Sequence, residues 1–222
     1  MSREAAQGRE ATQGRDPEQG QGQDSASGRE PAQQHYADSG VYGRGPADKA
    51  AGPAGRVFRQ RGMYFDELEV GDEFEHAPGR TITEADNVAF TTMTMNSQAL
   101  HLDAHWAQSQ PFGQRLVNSM LTLATLVGAS VTQLTQGTLV ANLGFEEVEF
   151  PHPLYHGDTL YTRSRITAKR PSRSRPGQGI VTVEHIGTNQ EGAVVARCVR
   201  SGLFWESTHE AGHESAHEDS HE

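Results

Sequence analysis

A single cysteine, Cys198, occurs in 222 residues, which excludes an internal disulfide framework and any site built from several thiolates. No apolar run approaches the roughly 18 residues that a membrane-crossing helix needs, and no charged-then-apolar leader opens the chain. A reducing cytoplasm is the expected setting, with no membrane partner. Positive charge is scarce too, with 19 Lys and Arg against 29 Asp and Glu, for a net charge of −10. Nucleic-acid phosphates call for a clustered positive surface, so no nucleic-acid partner is expected. Large apolar residues are almost missing from residues 1–56, which cycle through Gly, Gln, Arg, Glu and Ala, with near-repeats at Gln7-Gly8-Arg9-Glu10 and Gln13-Gly14-Arg15-Asp16. Such a segment buries too little surface to offset the entropy of ordering it, and the reading is a disordered tail.

Residues 207–222 read the same way. There His209, His213, His217 and His221 recur every four residues beside glutamates, a spacing that would line up imidazoles for a metal only if the tail became helical. A disordered acidic tail is the expectation. Most of the apolar content lies between the two tails, in residues 57–206, a length suited to one domain with one core.

Within that domain Thr83 reads as the N-cap of a short helix with apolar positions Val88, Ala89 and Phe90, ending near Met93. From Leu116 to Leu134 the apolar residues Leu116, Met120, Leu123, Val127, Val131 and Leu134 are spaced by three and four. This predicts one long helix buried on most faces. After Gly137 the period becomes two, and strands are expected near 139–150, 158–169, 179–188 and 193–205, with an earlier one near Glu73 to Ile82. The expected fold is α+β: an antiparallel sheet curled around one central helix. Such a sheet leaves apolar surface at its edge, so a homodimer with a continuous sheet is expected.

The run Thr94-Met95-Asn96-Ser97-Gln98-Ala99-Leu100-His101-Leu102-Asp103 joins the short helix to the next one. It resembles a run in the MaoC-like dehydratases and (R)-specific enoyl-CoA hydratases: Ser or Thr, Gly, Asp, any residue, Asn, Pro, an aliphatic residue and His. Thr94, Leu100 and His101 match that pattern, whereas Met95, Asn96, Gln98 and Ala99 depart from it. The resemblance covers roughly residues 62–206 and extends to Gly157-Asp158-Thr159-Leu160. Arg115-Leu116-Val117-Asn118-Ser119 and Phe150-Pro151-His152-Pro153 are most similar to mesaconyl-CoA hydratase and methylmalyl-CoA dehydratase relatives. It implies a hotdog fold and an enzyme that hydrates an enoyl-CoA thioester, with coenzyme A belonging to the substrate and no separate cofactor or metal.

Hydration of an enoyl thioester needs a base for water, an acid for the α-carbon and donors for the enolate oxygen. By the resemblance, Asn96 and His101 stand at the acid/base positions. The N–H near Ser119, at the start of the central helix, stands where the thioester oxygen is held, with Asn118 beside it in the substrate site. Asn96 replaces an aspartate, and an amide cannot accept a proton at neutral pH. Three readings are open: His101 works alone while Asn96 orients water, Asp103 or Asp86 substitutes, or the domain is a non-catalytic acyl-CoA-binding or thioesterase-like module. Asp103 also reads as the N-cap of a helix over Ala104 to Gln108. His152 and His156 fit equally a turn or the wall of an acyl pocket. Arg170, Arg173 and Arg175, with Lys169, form the one dense basic run, which is either a solvated hairpin or a contact for CoA phosphates or a substrate carboxylate. Cys198 reads as a packed strand residue.

Overall fold

The structure is a computed structural model that describes residue 56 and residues 58–208. Both expected tails lie outside the described residues, apart from Arg56, Ser207 and Thr208. Strand β1 (Glu73–Thr81) is followed by helix α1 (Glu84–Met93), two short helices α2 (Ala99–Leu102) and α3 (Ala104–Gln108), and helix α4 (Ser119–Ser130). Strands β2 (Leu139–Glu149), β3 (Thr159–Pro171), β4 (Gln178–Thr188) and β5 (Val194–Trp205) complete the domain. The five strands form one antiparallel sheet in the order β1-β3-β4-β5-β2. The expected α+β hotdog architecture is thereby present, and each strand lies within two residues of its expected bounds.

Two start signals act as read. Thr83 accepts the Asp86 N–H, and Asp86 in return accepts the Thr83 N–H at 2.8 Å, a reciprocal cap at the start of α1. Asp103 accepts the Trp106 N–H at 2.9 Å and so caps α3.

The central helix differs from the expectation in both length and burial. It begins at Ser119, because Leu116 and Val117 are extended: Leu116 bridges Tyr155, and the Val117 N–H donates to the Leu154 carbonyl. Regular α-helix ends at Ser130, and Val131–Thr135 continues as a single wider turn. Thr122, Leu126 and Ser130 form its buried stripe, while Met120 on another face is 50% exposed. One sheet covers one side of a helix, so an apolar helix remains partly bare in a single chain.

Among the described residues the core has two apolar clusters. Leu126, Leu160, Val195 and Ala196 belong to one. Phe65, Leu134, Ile166, Val183 and Phe204 belong to the other. The register sets a polar row between them: Ser164 lies between Leu160 and Ile166 on β3, opposite His185 on β4. Gln133 presents a carbonyl-type oxygen to His76 Nδ1 at 2.9 Å, so that nitrogen donates. His76 Nε2 then accepts from the Ser164 hydroxyl (2.8 Å), which in turn accepts from His185 Nδ1–H (2.7 Å). Burial lowers the proton affinity of both rings, and that of His185 falls to about 3.

At one end of the sheet Gly179 makes room for Phe65, since a Cβ there would lie 2.1 Å from the ring. Beside it Ser207 donates its N–H (2.8 Å) and hydroxyl (2.5 Å) to the Asp66 carboxylate. No helix among the described residues is long and apolar enough to cross a membrane.

Candidate active site

His101 sits on α2, and its Nδ1 lies 3.0 Å from the Leu116 carbonyl oxygen. A carbonyl only accepts, so Nδ1 carries the proton of the neutral ring and Nε2 keeps its lone pair. The anchor is itself held twice: the Leu116 N–H donates to Leu100 O, and Leu116 O accepts Asn87 Nδ2–H at 3.4 Å.

Asn87, fully buried on α1, organises this corner. Its amide donates to His101 O (3.3 Å) and Leu116 O, and its oxygen accepts the Asn118 N–H (2.8 Å). One turn later Thr91, also buried, receives Asn118 Nδ2–H at 3.3 Å. The inward face of α1 is therefore the polar pair Asn87 and Thr91, whereas the apolar pattern had pointed to Val88, Ala89 and Phe90. A buried amide that saturates three backbone groups on two other segments fixes their spacing.

Asn118 is 3% exposed and caps α4, accepting the Met120 N–H at 3.0 Å. With both ends of its amide engaged inside the fold, its side chain is a positioning group rather than a contact for substrate. The next N–H, that of Ser119, is the first of the helix and has no intrahelical acceptor. The positive end of the helix dipole adds to it, which suits a developing oxyanion. Ser119 borders a cavity of about 220 Å³ whose wall includes Leu116, Thr122, Phe150, Leu154 and Val195. His152 joins that wall while its Nδ1 donates to Val194 O at 2.9 Å, so it is both a turn residue and a pocket residue.

Asn96 follows Met95, whose φ of 58° is a left-handed conformation that favours glycine. The Asn96 Oδ1 accepts the Gln98 N–H at 3.0 Å, closing a local turn. Asp86 and Asp103 are both occupied as caps, and Asp86 also pairs with Arg80 at 2.7 Å. Capping accounts for the placement of both.

His156, which fitted a turn or the wall of an acyl pocket equally in the sequence, lies within electrostatic reach of His101. Arg115 bonds Glu84 at 2.5 Å, and both charges act on His156 together with His101. Burial first, then the charge of Arg115, lowers the proton affinity of His156. Its Nε2 is shielded from solvent and has no hydrogen-bond partner among the described residues. The signal in the sequence was the distance between motifs: nothing local pairs Tyr155-His156 with Arg115-Leu116.

Arg170, Arg173 and Arg175 are not brought to this site. They lie at the far end of β3 and in the hairpin beyond it, whereas His156 precedes the near end. The thirteen residues of β3 cover a contour of about 40 Å at roughly 3.3 Å per residue. Within one chain, then, the basic run does not serve His101. Cys198 is fully buried, and burial raises its thiol to about 11, which leaves it unreactive packing. Among the described residues, no group of three or more His, Cys, Asp or Glu is placed to hold a metal ion.

Comparison with known proteins places this geometry. A family profile described as "MaoC like domain" matches residues 66–189. The β-methylmalyl-CoA dehydratase of Chloroflexus aurantiacus is 31% identical over 139 residues, which are 63% of this chain and 39% of that protein. The mesaconyl-CoA hydratase of Haloarcula hispanica is 32% identical over 133 residues, 60% of this chain and 37% of that one. The chain thus spans about two fifths of the length of these curated relatives. Among solved structures, a conserved hypothetical protein of Mycobacterium tuberculosis with a double hotdog fold superposes with a TM-score of 0.60 at 27% identity. That match covers 66% of this chain and 45% of the other.

Proposed function

Because this chain belongs to the MaoC-like domain family, we propose that it is a hydro-lyase that reversibly adds water to an enoyl-CoA thioester. The observation that carries the reading is His101, pinned through Nδ1 to Leu116 O three residues before the start of α4, so that the opposite nitrogen keeps its lone pair. In this reading the acyl chain occupies the cavity beside Ser119, and the thioester oxygen meets the Ser119 N–H. His101 Nε2 takes one proton from water as the oxygen bonds to the β-carbon and electrons move onto the thioester oxygen. The imidazolium then returns that proton to the α-carbon. An N–H aimed at the developing charge stabilises the enolate more than the ground-state carbonyl, which is what lowers the barrier.

The names of the relatives support a branched C4 or C5 dicarboxylic acyl group. Purified protein mixed with crotonyl-CoA and with mesaconyl-CoA is expected to lose enoyl absorbance. Absence of turnover across a broad enoyl-CoA panel would overturn the hydratase reading. Release of free thiol from a saturated acyl-CoA would instead favour the thioesterase-like alternative, which the local turn made by Asn96 Oδ1 keeps in play.

The same reading includes a second copy. Strand β2 lies at the edge of the sheet, with Leu143, Phe145 and Val148 exposed, and α4 leaves Met120 uncovered. A homodimer whose sheets join along β2 would cover this surface. Sedimentation is expected to give twice the chain mass, and Leu143→Lys to lower it to one.

A further inference from the structure

Resting on the hydration reading, we propose that His156 is the second acceptor for the reacting water, in the role that Asn96 does not fill. A water attacks well when both of its O–H bonds point at acceptors, because its lone pair is then left facing the alkene. His101 Nε2 supplies one acceptor. Asn96 is poorly suited to be the other, since its oxygen is already bonded to the Gln98 N–H and its free end is an NH₂ donor. Asp86 and Asp103 are held as helix caps.

Backbone pairing brings His156 to the place. The Leu116–Tyr155 bridge and the Val117 N–H to Leu154 O bond lay the turn that carries His156 along the strand that anchors His101. There His156 Nε2 is shielded and has no partner among the described residues. A buried ring nitrogen without a partner is uncommon enough to call for an explanation. Arg115 acts on the ring with positive charge and Glu84 with negative charge, His101 is the third titratable group near it, and burial together with Arg115 favours the neutral form, the one that accepts.

The step balances. One water proton passes to His101 Nε2 and is returned to the α-carbon. His156 Nε2, in its Nδ1–H tautomer, holds the other O–H, which remains as the hydroxyl of the product.

The test uses the full chain with crotonyl-CoA. His156→Ala is expected to lower kcat about 10²-fold with KM within about twofold, because the interaction is made mainly in the transition state. His156→Gln, which keeps an acceptor near Nε2, should recover about tenfold of that loss. The acid limb of log kcat/KM against pH should approach a slope of about two in the wild type and about one in His156→Gln, since two neutral rings become one. Circular dichroism checks that each variant folds, and His156→Gln carries the test if His156→Ala does not. A kcat for His156→Ala within about threefold of wild type, a glutamine variant no better than alanine, or an unchanged limiting slope would each overturn the proposal. If wild type turns over neither crotonyl-CoA nor mesaconyl-CoA, the hydration reading fails first, a result distinct from an active wild type that tolerates His156→Ala.

Discussion

The two ends of the β3–β4 ribbon carry opposite kinds of polarity. Next to Thr159 a few uncharged groups converge, with one ion pair, Arg115–Glu84, beside them: His101, His156, Asn87, Asn118 and the first N–H of α4, most of them shielded and bonded to backbone. Around Pro171, Arg170, Arg173 and Arg175 are all exposed, and the neighbouring Lys169 bonds Leu68 O. Charge density in a sequence marks where water is. The chemistry collects where polar groups are few and mostly shielded, since only shielded groups act at low dielectric and hold a fixed direction.

The sharpest way to break this contrast is His101→Ala. Loss of one acid/base group is expected to lower kcat about 10²–10⁴-fold with the fold intact by circular dichroism. Wild-type turnover in that variant would move the chemistry away from the Thr159 end altogether.

Next in size is Asn87→Ala. It leaves the Asn118 N–H without its acceptor and removes donors to two carbonyls, so urea denaturation should show a stability loss of about 2–4 kcal/mol. Enoyl turnover should fall as well, because the anchor of His101 loosens. A variant as stable as wild type would mean that the corner is held by packing instead.

Midway along the ribbon, His185 sharpens the comparison through pH. Its folded-state affinity is depressed to about 3 from an ordinary 6.5, so the unfolded chain binds the proton first. Stability from the neutral ring is complete above about pH 6.5 and is lost progressively as pH falls toward 3. Urea midpoints at pH 5 should lie below those at pH 7 by the equivalent of about 1–2 kcal/mol. His185→Gln should flatten that dependence.

The smallest effect belongs to the far end. Replacing Arg170, Arg173 and Arg175 together with alanine should leave KM for crotonyl-CoA within about twofold at moderate salt, the range expected of exposed charges remote from the site. A rise of about tenfold or more would bring the hairpin into contact with substrate, which in one chain it does not reach.

How much was legible in the sequence depends on how local each signal was. The strand bounds, the Thr83 cap and the Asp103 cap depend on neighbours within four residues, and the structure contains them. The start of α4 was placed three residues early, because the spacing of Leu116 with Met120 is helical while its backbone is committed to Tyr155, 39 positions away. Asn87 and Thr91 were hidden for a related reason. Their partners lie 14 to 31 residues downstream, and a polar residue on a short helix is ordinarily a solvent-facing one. His156 fitted a turn and a pocket wall equally, since its place beside the site is fixed by cross-strand register, not by spacing.

The link between Asp66 and Ser207 has a consequence for how such a domain is reused. With the entry and exit of the fold tied by two hydrogen bonds, the hotdog unit is topologically a closed module. A module whose ends meet can be spliced into a host loop, permuted at a new start point, or copied in tandem through a short connector without disturbing its sheet. A circular permutant opened in the Ser172–Gly177 turn and joined near residues 62 and 207 is the form in which that modularity would show itself.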